Sequence, residues 1–227
     1  MASLKFIHIS KTGGSSIESV GARNGHKWGK LDDVKFPDTY KIFWHTPIKL
    51  YDINPYEGYD LFTVVRNPYD RVLSEFHWIQ LVYGLYIDAY TIDDFNRIVQ
   101  TEIRDRYDNI FMEDHIDPAN KKCLPSGNDQ SLAKSCAIPW GHYFSQWDYF
   151  TDKLGNRIIK HVLRFEKLQE EFNNLMIAYQ YDDRITPDDK ENSCVRKFTI
   201  RDFYPETIRL INDVYHEDFV NFGYDKM

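Results

Sequence analysis

Leu4-Lys5-Phe6-Ile7-His8-Ile9-Ser10-Lys11-Thr12-Gly13-Gly14-Ser15-Ser16-Ile17-Glu18 decides how the chain is read. Leu4 to Ile9 has the apolar run of a short buried strand, and Lys11 to Ser16 is a turn of small residues. From Ser16 a helix begins, with Ile17 and Val20 facing inward. Glycines at 13 and 14 let backbone N–H groups approach an anion closely, and a helix N-terminus adds unpaired donors and partial positive charge. Lys11 adds a full charge at the mouth. In the nucleotide-hydrolase P-loop the lysine follows the glycines and is followed by the Ser/Thr that holds magnesium. Here Lys11 precedes Gly13-Gly14 and no Gly-Lys-Ser/Thr occurs, which argues against an ATP or GTP hydrolase.

A second stretch, Asp60-Leu61-Phe62-Thr63-Val64-Val65-Arg66-Asn67-Pro68-Tyr69-Asp70-Arg71-Val72-Leu73-Ser74, has the same strand-to-helix grammar. Leu61 to Val65 is a continuous β-branched and aromatic run of the kind buried in a parallel sheet. Asn67-Pro68 supplies an N-cap and a proline at the first helical position. Arg66 therefore stands at a strand's C-terminal end, and Ser74 lies about two turns into the next helix.

The first stretch resembles the 5′-phosphosulfate loop of sulfotransferases that use 3′-phosphoadenosine 5′-phosphosulfate (PAPS). The second, Arg-x-Pro-x-x-Arg-x-x-Ser, resembles their 3′-phosphate segment. The resemblance implies an α/β, three-layer, P-loop-like domain spanning residues 1–227, with a central, mostly parallel sheet flanked by helices. It also implies PAPS as co-substrate, PAP as product, and no metal. Lys11, Thr12, Gly13, Gly14, Ser15 and Ser16 would hold the 5′ end, with Lys11 also meeting the leaving oxygen. Arg66 and Ser74 would grip the 3′-phosphate, and Asn192-Ser193 with Arg196 and Lys197 would close over the nucleotide.

His45, after a short strand at Lys41–Trp44, resembles the histidine that follows the second strand in carbohydrate 2-O-sulfotransferases. It is the candidate base, because an imidazole accepts protons near neutral pH. Glu18 and His142 are the reserves; His8 is expected to point into the core or a sheet face, and His77 to sit on a helix surface. Gly141 to Phe150, with Gln146 before an aromatic, resembles a family segment on the cofactor side. His161 to Leu168 matches a family phrase of strand, arginine, aromatic, glutamate and leucine, read either as an edge of core packing with a salt bridge from Arg164 or Glu166 or as a direct part of the chemistry. Ser10 stands where many relatives carry proline, and the short chain leaves little room for a polysaccharide groove, so small hydroxylated or aminated acceptors stay open beside carbohydrates.

Composition sets outer limits. The 227 residues, 42% hydrophobic and 16% aromatic, suffice for one good core. A net charge of −7 argues against a nucleic-acid binder. No apolar run approaches the ~20 residues a membrane helix needs, so the expectation is a soluble, cytoplasmic protein. The three cysteines, Cys123, Cys136 and Cys194, lack metal spacing and are read as free thiols, with a Cys123–Cys136 bridge as the alternative in an oxidising compartment.

Elsewhere, Ser19 to Tyr40 is expected to be a loop-rich connection broken by Gly21, Gly25, Gly29 and Pro37. A helix capped by Thr91 is expected to run to about Arg104, followed by a long irregular stretch from Asp105 to Pro139, where the resemblance implies acceptor contacts and a plain flexible loop is the alternative. Asp182-Asp183 and Asp188-Asp189 read as a solvated loop, and Ile200 to Tyr224 as helix. The rival functions are an ATP-dependent kinase of related fold and a nucleotide-binding protein without turnover.

Overall fold

The computed structural model describes residues 3–34, 45–51, 53–82, 87–110, 140–189 and 196–227. The expected strand at 41–44, the three cysteines, Asn192-Ser193 and residues 111–139 lie outside the described residues. The chain divides into two compact units. One comprises Met1–Arg66 and Gln146–Ser193, the other Asn67–Ser145 and Cys194–Met227.

The first unit carries a three-stranded sheet of β1 (Leu4–Ile7), β2 (Asp60–Val65) and β3 (Ile159–Arg164), in that spatial order and all parallel. Side chains alternate across a strand, so Leu4, Phe6, Phe62, Val64 and Leu163 share one face. That face packs on Ile17 and Val20 of α1 (Gly14–Arg23) and on Phe172, Leu175 and Met176 of the helix Leu168–Ala178. Ile7, Leu61, Thr63 and Val65, on the other face, are buried as well. Burial on both faces is what an unbroken apolar strand such as Leu61–Val65 requires. The expected mixed α/β architecture, with a parallel sheet flanked by helices, is the one observed.

Register places the site. Ile7 pairs with Thr63 and Val65 with Arg164, so all three strands end at one edge, where His8, Arg66 and Phe165 emerge. The first strand is shorter than expected, ending at Ile7. The helix after it runs past Gly21 to Arg23, and the glycine at 21 makes room for the indole of Trp28, which packs where a side chain would lie. The loop-rich reading of residues 19–23 is thereby corrected.

The second unit is helical. Its helices are α2 (Pro68–Val82), α3 (Ile92–Ile110), and two that follow the helix Leu168–Ala178, here α4: α5 (Pro205–Val214) and α6 (His216–Phe222). Tyr69, Leu73 and Phe76 of α2 share a core with Phe95, Val99 and Ile103 of α3 and with Ile211 and Phe219. Asn67 Oδ1 accepts the Tyr69 N–H, the cap that Asn-Pro predicts, and Thr91 and Asp94 form a reciprocal cap on α3. Asp105–Ile110, expected to be irregular, continues α3, and the C-terminal helical stretch breaks in two at Tyr215. No helix among the described residues is long and apolar enough to cross a membrane.

Candidate active site

β1 delivers the chain to the sheet edge at His8, and the next residues turn sharply into α1. Lys11 has φ 63° and Gly13 φ 89°, so the turn passes twice through left-handed backbone. For glycine that is inexpensive, whereas for lysine it costs about 1 kcal/mol or more. The other described non-glycine residue with positive φ, Gln180, merely closes α4, with Tyr181 N–H bonded back to the Met176 carbonyl. At Lys11 the strain belongs to the loop itself.

Two clamps hold that loop. The Thr12 hydroxyl donates to the Ile9 carbonyl at 2.8 Å and is fully buried. Arg66 Nη1 donates to the Lys11 carbonyl at 3.0 Å. α1 then starts with Gly13 as N-cap, which offers no capping side chain, so its first-turn N–H groups face the loop with the partial positive charge of a helix start. Ser15 is half-buried and Ser16 buried.

Arg66 is itself fixed from three directions. Its guanidinium lies over the Phe165 ring, 4.0 Å from the centroid. Its backbone is bracketed by Gln146, whose Oε1 accepts the Arg66 N–H at 2.8 Å and whose Nε2 donates to the Arg66 carbonyl at 2.9 Å. Gln146 is fully buried, so this amide is an internal bracket for a strand end rather than a surface group. Phe165 and Leu168 also press on Gly13, where an added Cβ would come within 3.0–3.1 Å of them. Phe165 and Leu168 of the strand-arginine-aromatic phrase therefore pack against the loop.

His8 and His45 come together here. His45 is buried, and its carbonyl accepts the Tyr149 hydroxyl at 2.7 Å. His8 lies one residue past β1, and its Nδ1 is 2.6 Å from Glu18 Oε1. Its ring meets His45 edge-on, with centroids 4.7 Å apart. The fold thus gathers Lys11, Arg66, His8, Glu18 and His45 within one unit, and the Glu18–His8 contact was not anticipated. A signal existed: Glu18 is a charged residue on the inward side of α1, between Ile17 and Val20.

Other predicted residues are placed as follows. Ser74 is half-buried on α2, and its assignment to the 3′-phosphate rests on its motif alone. Arg196 pairs with Asp70 at 3.3 Å, and the Lys197 ammonium donates to the carbonyls of Asp88 and Tyr90. His77, expected at a surface, is buried because the segment 197–198 covers it. Its Nδ1 faces the Leu73 carbonyl at 2.8 Å, and its Nε2 accepts the N–H groups of Lys197 and Phe198. Burial pushes its pKa below the usual histidine value, and the nearby Arg196 charge works in the same direction. Asp183 is likewise buried rather than solvated, held by Asn24 and His26. His142 pairs with Glu75 inside the helical unit.

A parallel sheet whose strand ends feed a tight, glycine-containing turn and a helix N-terminus defines a protein of the P-loop-like α/β class. Within that class the chain belongs to the sulfotransferase family, whose family model matches residues 2–225. No curated protein and no solved structure matches it.

Proposed function

We propose that the protein transfers a sulfuryl group from PAPS to the hydroxyl, or less favourably the amine, of a carbohydrate or small molecule. The observation that carries the reading is the bond from Arg66 Nη1 to the Lys11 carbonyl, which joins the two motif segments at one sheet edge. Family membership supports sulfuryl transfer, and the cradle fits a phosphosulfate. Gly14 lets α1 begin beside the strand end, the N-cap carries no side chain, and a lysine stands at the mouth.

In this reading the backbone N–H groups of Thr12 to Ser15, with the hydroxyls of Ser15 and Ser16, hold the 5′-phosphate, while the Ser16 N–H donates to the Gly13 carbonyl at 3.2 Å. The Thr12 hydroxyl, turned to Ile9, shapes the loop. Lys11 neutralises the charge that grows on the bridging oxygen, which favours the transition state over the ground state. Arg66 presents a forked donor to the 3′-phosphate while stacked on Phe165. PAPS supplies the activated sulfuryl group, and the protein's share is positioning and charge stabilisation. His45 takes the proton of the attacking hydroxyl.

Calorimetry with PAP and with ATP tests the reading. PAP is expected to bind equally well with and without chelator, and magnesium-dependent ATP binding in its place would support a kinase. A radiolabelled-sulfate screen of sugars, phenols and small zwitterions then identifies the acceptor.

A further inference from the structure

Glu18 is a carboxylate 1% exposed on the inner side of α1. Its Oε1 receives His8 Nδ1 at 2.6 Å and the Lys30 N–H at 2.8 Å. A carboxylate oxygen only accepts, so the His8 proton sits on Nδ1. Two glycines make room for the pair. A Cβ at Gly29, where φ is +57°, would lie 2.0 Å from Glu18 Oε1, and one at Gly14 would lie 2.4 Å from His8 Nε2. The imidazole of His8 therefore fills the gap between the first residue of α1 and the ring of His45. Among the described residues, the His45 ring meets His8, Tyr56 lines the same small cavity as His8, and Lys30 faces the pair with its Nζ 3.6 Å from Glu18 Oε2 on a side chain 49% exposed.

We propose that Glu18 and His8 form a positioning pair for His45, holding it in register with the donor loop and stabilising the positive charge it gains on accepting the acceptor's proton. The proposal rests on the reading of His45 as the base. His8 is the spacer and Glu18 the charge: when the hydroxyl proton moves to His45, the carboxylate one imidazole away favours the imidazolium, as an orienting carboxylate does behind a catalytic histidine. No proton leaves the pair and no covalent bond to it forms.

The test uses the full chain labelled with 15N-histidine. In Glu18→Gln, which keeps the shape and an acceptor for Lys30, the His45 titration midpoint should fall by about half to one pH unit. PAP affinity should stay within about twofold of wild type. Release of labelled sulfate from PAPS, with water as acceptor, should drop about tenfold or more. An unmoved His45 midpoint, or sulfate release within about twofold of wild type, overturns the proposal. If Glu18→Gln does not fold, the wild-type spectrum decides: a His8 proton on Nδ1 at pH 7.5 agrees, and one on Nε2 alone overturns it. Wild-type protein that binds no PAP would sink the sulfotransferase reading, whereas PAP binding with an indifferent His45 would sink only the positioning pair.

Discussion

Two buried glutamate–histidine pairs, one in each unit, look alike on paper and sit in opposite surroundings. Glu18–His8 adjoins a strained loop, a helix start and a second histidine, in space kept open by Gly14 and Gly29. In the helical unit His142 Nδ1 lies 2.9 and 3.0 Å from the two oxygens of Glu75, its ring is against Trp78, and its carbonyl is taken by Arg71 Nη2. Arg71 Nη1 also holds the Phe144 carbonyl, which ties the segment 142–144 to α2. We read the second pair as a brace, because the Arg71 side chain beside it secures the His142 and Phe144 carbonyls. The first neighbours groups that offer charge and donors. A carboxylate–imidazole contact identifies neither role by itself, and the surroundings do.

The strongest response to substitution is expected at the loop. Lys11→Ala should lower turnover about 100- to 1,000-fold while leaving PAP affinity nearly unchanged. Equal losses in both would remove its leaving-group role. Arg66→Ala comes next. PAP binding should weaken about 10- to 100-fold, as expected for charge-assisted hydrogen bonds, and far more than binding of adenosine 5′-phosphosulfate, which lacks the 3′-phosphate. An unchanged preference between the two would take Arg66 off that phosphate.

The brace should respond in stability alone. Glu75→Gln is expected to cost about 1–3 kcal/mol of unfolding free energy, measured by urea melts, with PAP affinity unaltered. A loss of PAP binding at full stability would erase the contrast between the pairs.

The smallest effect concerns His77. Its pKa is lowered in the folded chain, chiefly by burial, so below 6.5 the unfolded chain binds the extra proton first. Stability should then rise with pH from the lowered folded-state value up to 6.5 and level off above it. Protonating Nε2 would also remove the acceptor for the Lys197 and Phe198 N–H groups. In His77→Gln that slope should be reduced relative to wild type, and identical pH–stability curves would contradict the assignment.

Contiguous signals were legible in the sequence and contacts between distant segments were not. The run Leu61–Val65, the Asn67-Pro68 start and the Gly13-Gly14 turn each announce their local structure, because propensity and capping act over a few residues. Arg66 and Lys11 are legible as candidate site residues, yet Gln146, which brackets Arg66 from 80 positions away, was recognisable only as part of a family-like segment. Asp183 looked solvated beside Asp182, and only the fold brings it to Asn24, 159 positions away. His77 has a helical position that periodicity can read, but the chain that covers it arrives 120 residues later. The Glu18–His8 pair lies between these cases. Its members are ten residues apart, and the left-handed turn that folds them together is invisible to pattern.

The central claim is that the loop from Lys11 to Ser16, clamped by Arg66, receives the donor nucleotide. Backbone amide NMR of the 15N-labelled chain titrated with PAP tests it most directly. The largest shifts should fall on Thr12 to Ser16 and on Arg66, in the absence of any divalent metal. Shifts centred elsewhere with those amides silent, or no response to PAP at all, would contradict it.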